Sequence, residues 1–238
     1  FLALPGVEST HGTGHLGVWL VGQEAAGAVQ QTPIVPAARP AAERIEAWAA
    51  AGALVCCNHP NHVSAPLTAE QVSSWAGGGV PFRFVEVFNR LATRKPEGVG
   101  YNAEVWRRAI TAAGPDRPVW GVASDDSHGQ SVGQGWIAVA APSLTPGALR
   151  EALLAGRFYA SNGPAFSALG ADVEARGLVA VAPGAVAIRF IGDDGGVRQE
   201  VAGDAAVYRP NGGARWIRIE ATDAEGRTAW SQPFWIDA

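Results

Sequence analysis

Val119-Trp120-Gly121-Val122-Ala123-Ser124-Asp125-Asp126-Ser127-His128 joins a short apolar run to two carboxylates and an imidazole. Residues 119–124 read as a buried strand, because the run is short, rich in β-branched and aromatic side chains, and ends at a polar cluster. Asp126 and His128 then stand two residues apart on a strand-end loop, where both can face one metal ion. In an α/β architecture such loops converge on one face of the sheet, and sites form there. The fold class therefore turns on whether the flanking segments alternate strand with helix.

Upstream the pattern is alternating. Over 41–51 the apolar positions Ile45, Trp48 and Ala49 recur at helical spacing, and Gly52 occupies the position of a C-terminal helix cap. A strand is expected at 53–57, a helix at 68–76 with Thr68 and Gln71 resembling a capping box, a strand at 82–88 and a helix at 102–113. Downstream, a strand at 136–140 precedes a helix at 145–154 that Gly156 ends. Residues 1–4 read as a strand, 6–14 as a turn and 15–21 as a second strand. Such βα units imply a mainly parallel sheet or barrel. After residue 163 the helical period disappears, and runs at 186–191, 197–201, 205–208, 216–221 and 228–230 alternate with Gly-, Asp- and Asn-rich turns. Two domains are expected, an α/β domain over 1–163 and a small all-β, sandwich-like domain over 164–238.

Composition narrows the function. With 238 residues, 47% of them hydrophobic and 17% charged, the chain has the make-up of an ordinary globular protein. No apolar run approaches the roughly 20 residues that span a bilayer, which argues against a membrane role. A net charge of −4 without any Lys/Arg block argues against nucleic acid as a partner. Cys56 and Cys57 are adjacent in an apolar run and read as buried thiols, so the compartment stays open. The sequence contains no methionine and opens directly on Phe1-Leu2-Ala3-Leu4, which suggests that a preceding segment is missing.

The chemistry gathers in the first half. All five histidines lie within the first 128 residues. His59 directly follows a strand and is stiffened by Pro60, while Glu8 and His15 flank a connection through Gly12 and Gly14. Four segments thus offer Glu8, His15, His59, Asp126 and His128 as ligands at one face. Mixed imidazole and carboxylate ligands suit zinc, manganese or iron better than calcium, with one or two ions in this chain. The expected reaction is hydrolysis with metal-activated water as nucleophile, since a bound ion lowers the pKa of water from 15.7 to about 7. No further nucleophile is then required. Asn89, Arg157 and His11 are candidate substrate contacts, Arg157 through a planar fork suited to an anion, although each also reads as an ordinary structural or loop residue. His62 reads as a loop histidine, and Asp125 as a supporting residue. The Gly-x-Ser-x-Gly match at 129–133 precedes a strand rather than a helix, and the Gly-x-Gly-x-x-Gly match at 12–17 runs into Val-Trp-Leu-Val, so neither carries its usual chemistry.

Pro5-Gly6-Val7-Glu8, Gly14-His15, Asn58-His59-Pro60, Glu86-Val87-Phe88-Asn89 and Ser124-Asp125-Asp126-Ser127-His128 resemble, in order, the later motifs of the PHP (polymerase and histidinol phosphatase) superfamily. Residues 156–164 and 229–236 resemble the ends of a branch that has a C-terminal β domain and includes carbamate hydrolases. The resemblance implies a distorted seven-stranded (β/α)7 barrel, two or three metal ions and activity on phosphate esters. It also implies an initial His-x-His pair and a further His, neither of which occurs here. The expectation is therefore a metal-dependent phosphoesterase acting on a small anionic ester. The alternatives are a carbamate or amide hydrolase, or a shortened, catalytically silent module.

Overall fold

The structure is a computed structural model that describes residues 1–10, 14–21, 39–63, 66–94, 100–129 and 132–236. Five strands make the first sheet: β1 (Gly6–Ser9), β2 (His15–Trp19), β3 (Leu54–Asn58), β4 (Phe84–Asn89) and β5 (Trp120–Ser124), in spatial order 1-2-3-4-5. Three helices accompany them, α1 (Ala41–Ala50), α2 (Ala69–Gly78) and α3 (Ala103–Ala113). Local signals account for the helix ends: Gly52 adopts φ 86° just beyond α1, and the Thr68 hydroxyl accepts the Gln71 N–H at the start of α2.

The expected (β/α)7 barrel is not present. Only β3, β4 and β5 run parallel, whereas β1–β2 and β2–β3 pair antiparallel. The next strands, β6 (Trp136–Val139) and β7 (Phe158–Ser161), flank helix α4 (Pro146–Leu154) but pair antiparallel with each other in a different sheet. That sheet continues into the C-terminal strands and brings together elements from both sides of residue 163, because β7 pairs with β14 (Thr228–Trp230). The sheet is completed by β10 (Ala185–Gly192), β11 (Val197–Ala202), β13 (Trp216–Asp223) and β15 (Phe234–Trp235), while β8 (Ala168–Asp172), β9 (Gly177–Val181) and β12 (Ala205–Tyr208) form a third. With four α-helices among the described residues and mostly antiparallel pairing, the protein is predominantly β. Helical periodicity located the helices correctly but is silent on strand direction, and a helix between two strands does not by itself make them parallel.

Closure after β5 is also stopped physically. The Gln232 amide accepts from the Gly121 N–H and donates to the Gly121 carbonyl, both at 2.8 Å, so it pairs with the edge of β5 as a further strand would. Residues 1–4, expected as a strand, have no sheet partner among the described residues; residues 6–9, expected as part of a turn, are the strand, because they lie in register with β2.

Period-2 alternation divides the first sheet into two faces. Leu16, Val18, Val55, Cys57, Val85 and Val87 pack with Ile45, Val72, Trp106 and Ile110 of the helices. On the other face Leu54, Cys56, Phe84, Trp120 and Val122 pack with Leu153 and Phe158. Both cysteines are free and buried, and burial pushes their thiols up. Trp216 and Trp230 belong to the core as well. No helix among the described residues is long and apolar enough to cross a membrane.

Candidate metal centre

Strand register brings the first three donors together. His15 lies opposite Asn58 across β2 and β3, and Glu8 lies opposite Gly17 across β1 and β2. Directly opposed residues share a face, as do residues two apart on one strand, so Glu8, His15 and Asn58 project from the same side. Gly17 sits between them without a side chain, and Asn58 Nδ2 reaches across to donate to Glu8 Oε1 at 2.8 Å. His59 follows β3 at φ 22°, and Asp126 follows β5 at φ 51°. These are two of only three non-glycine residues with positive φ among the described residues. Such backbone costs about 1–3 kcal/mol per residue and concentrates at functional sites.

The polar atoms converge. His59 Nε2 is 3.3 Å from His15 Nδ1, 3.4 Å from Glu8 Oε1 and 3.8 Å from Asp126 Oδ2, and His15 Nδ1 is 3.8 Å from Glu8 Oε1. Ligand atoms around a tetrahedral ion bound at 2.0–2.1 Å stand about 3.3 Å apart, so this spacing suits a shared cation. Glu8, His15 and His59 can therefore hold a metal ion. His59 is buried, and its Nδ1 has no hydrogen-bond partner among the described residues, which leaves Nε2 as the ring's only polar anchor.

Electrostatics suit metal ligation at Glu8 and His15, and favour a protonated ring at His59 in the absence of a cation. The hydrogen bond from His59, aided by Asn58, pulls the Glu8 carboxyl down to about 2 against the effect of burial. Burial, then the nearby His59, lowers His15. Burial also works to lower His59, but its bond to Glu8 and the charges of Glu86 and Asp126 outweigh this and leave it raised. Glu8 is thus a carboxylate and His15 a neutral imidazole near neutral pH, the protonation states that metal ligation needs.

A buried carboxylate organises the floor. Glu86 Oε2 accepts the His59 backbone N–H at 2.6 Å and Asn89 Nδ2 at 2.9 Å, and its Oε1 accepts the Ser124 hydroxyl. Asn89 Nδ2 also lies 3.3 Å from Asp126 Oδ2, so one amide ties Glu86 to Asp126. Burial raises Glu86.

The remaining expected residues take different places. His128 is beside Asp126, its Nδ1 3.0 Å from the Asp126 carbonyl, but its side chain is 75% exposed and stands apart from the Glu8, His15 and His59 group. Asn89 is buried and positions Asp126. Arg157 lines a cavity of about 710 Å³ with Trp120, at the start of β5, whereas Asp126 follows the end of that strand. His11 lies outside the described residues. Asp125 accepts the N–H groups of Gly133, Gln134 and Gly135 and so shapes the loop beside the site. Three contributors, Asn58, Glu86 and Arg90, were not singled out from sequence as site residues, and His62 read there as a loop histidine. Glu86 left a signal, a lone carboxylate in Phe84-Val85-Glu86-Val87-Phe88. His62 turns back through its N–H to the His59 carbonyl and sets its ring 5.0 Å from that of His59.

Compared with known proteins, the chain matches no family model, no curated protein and no solved structure.

Proposed function

We propose that this chain is a divalent-metal-dependent hydrolase of phosphate esters, with Glu8, His15, His59 and Asp126 as its ligand set. The observation that carries the reading is the convergence of Glu8 Oε1, His15 Nδ1 and His59 Nε2 at ligand spacing, on a strand end whose backbone is held at positive φ. The ordered motif resemblance to the PHP superfamily supports the same reading. Zinc, manganese or iron bound there would supply Lewis acidity, activating water and polarising the phosphoryl oxygen.

The protein's own groups do the rest. Glu8 stays ionised and balances cationic charge, His15 presents a neutral ring, and Glu86 and Asn89 hold His59 and Asp126 in place. Arg90 lines a small cavity together with Asp126 and His128, and among the described residues no carboxylate pairs with it. A guanidinium without a carboxylate partner among the described residues, in the cavity it shares with Asp126, favours an anionic ester over a neutral carbamate.

The test is calorimetric titration of metal-stripped protein with Mn²⁺ and Zn²⁺, alongside hydrolysis of p-nitrophenyl phosphate. At least tenfold weaker metal binding is expected in His59→Asn and Glu8→Gln, both checked for native circular dichroism. Absence of metal binding in the parent protein, together with no metal-stimulated hydrolysis, would falsify the proposal.

A further inference from the structure

A cavity of about 430 Å³ is lined by Phe88, Arg90, Tyr101, Trp136, Asn162 and Arg227, among others. Its size is within the range of small-molecule sites. Arg90 also lines the small cavity that contains Asp126 and His128, so a single side chain borders both spaces. The Arg90 guanidinium is held by Gln134 Oε1 and, at 3.0 Å, by Thr93 Oγ1, and its backbone N–H bonds the Ser124 carbonyl at 2.9 Å. It is therefore anchored in position without being neutralised by a described carboxylate. Arg227 differs, because Asp223 and Glu225 compensate its charge.

The remaining walls are aromatic and firm. Tyr101 packs edge-on to Phe88 at 5.2 Å, and Phe88 stacks on Trp230 at 6.1 Å. Asn162 Nδ2 reaches the Tyr101 hydroxyl at 3.4 Å. Asp125 fixes the Gly133, Gln134 and Gly135 backbone, and Gly135 lies so close to Ser124 that a Cβ there would meet its carbonyl oxygen at 2.5 Å. Tyr101 is 52% exposed and Trp136 partly exposed, and both line the cavity.

We infer that this cavity receives the leaving group of the substrate and selects a planar aromatic one, with Arg90 meeting the anionic group at the boundary with the metal centre. The inference rests on the metal-hydrolase reading and adds the class of ester: an aryl or heteroaryl phosphate. Aromatic rings prefer other rings over saturated carbon of the same size by about 0.5–1.5 kcal/mol, or roughly 2- to 12-fold in affinity.

Binding separates this preference from the intrinsic reactivity of aryl esters. Calorimetry on Mn²⁺-loaded protein with benzylphosphonate and cyclohexylmethylphosphonate, which differ only in ring saturation, should show the aromatic ligand binding about 3- to 10-fold tighter. Trp136→Leu should bring the two ligands together, and Tyr101→Leu, at a half-exposed position, serves if the first variant does not fold. Arg90→Met should weaken both ligands about equally, by roughly tenfold, as loss of a charge-assisted contact predicts, and leave Mn²⁺ affinity unchanged. Equal affinities, or no phosphonate binding to protein that does take up Mn²⁺, overturn the inference while the metal reading stands. Failure to bind Mn²⁺ at all removes both.

Discussion

Glu86 shows how a single residue in an apolar strand organises the site. It receives three donors, the His59 N–H, the Asn89 amide and the Ser124 hydroxyl. Removing a buried acceptor leaves each donor to bear its desolvation cost, about 1–3 kcal/mol apiece. Glu86→Ala should therefore lower stability by about 3 kcal/mol or more, read by urea unfolding, and should weaken metal binding as His59 relaxes from positive φ. Glu86→Gln is different in kind. Its carbonyl can still accept from His59 and Asn89, and its NH₂ can donate to Ser124 with the hydroxyl reversed. The fold should survive in that variant with most of its metal affinity. If Glu86→Gln loses metal as completely as Glu86→Ala, the charge and not the hydrogen bonding holds the site.

At the scale of elements, β2 is the hinge of the arrangement, because its small residue lets its neighbours meet. A Cβ on Gly17 would lie 2.7 Å from Asn58 Oδ1, a contact that requires Asn58 to move. Gly17→Ala should push Asn58 away from Glu8 and weaken metal binding several-fold, with only a small loss of thermal stability. Unchanged metal affinity in that variant would mean that Asn58 does not orient Glu8. The turn from β13 to β14 supports a second prediction. Asp223 is buried, which works to raise its carboxyl, but bonds from the Arg227 N–H and guanidinium and from the Glu225 N–H outweigh burial and leave it lowered. A carboxylate depressed on folding adds stability above its unfolded pKa, and that stability disappears as pH falls through the folded value. The stability difference between the parent protein and Asp223→Asn should be constant at neutral pH and shrink below the ordinary aspartate range, measured as urea midpoints from pH 7 to pH 3. A difference that is independent of pH would assign the effect to packing.

On the scale of the molecule, Gln232 joins the two halves. Its amide pairs with both backbone groups of Gly121, where the absence of a Cβ also admits Trp106, whose ring atoms would stand 2.7 Å from one. Gln232→Ala strands a buried N–H and a buried C=O on the edge of β5. That should cost roughly 1–3 kcal/mol for each group and lower the midpoint of a single unfolding transition. Two separated transitions in the variant would show that Gln232 is what couples the first sheet to the C-terminal strands. An unchanged midpoint would show that water replaces the amide without loss.

Local sequence was enough to place the helices and most strands. Helical spacing at Ile45 and Trp48, the Thr68 cap and the apolar run ending at Asp126 are local signals, and local signals are written in consecutive residues. Of the Glu8, His15 and His59 group, His59 stands out locally at the end of an apolar run, whereas Glu8 and His15 stand out mainly through the ordered motif resemblance. Strand direction was decided elsewhere. Whether β1 and β2 join antiparallel, and whether β6 and β7 continue the first sheet or leave it, depends on contacts between residues far apart in the chain, such as Gln232 with Gly121 and Ala160 with Trp230. The same holds for the roles of Glu86, Asn58 and Arg90, which arise from what faces them across neighbouring strands and loops. Periodicity records which side of an element is buried; only the tertiary structure records against what.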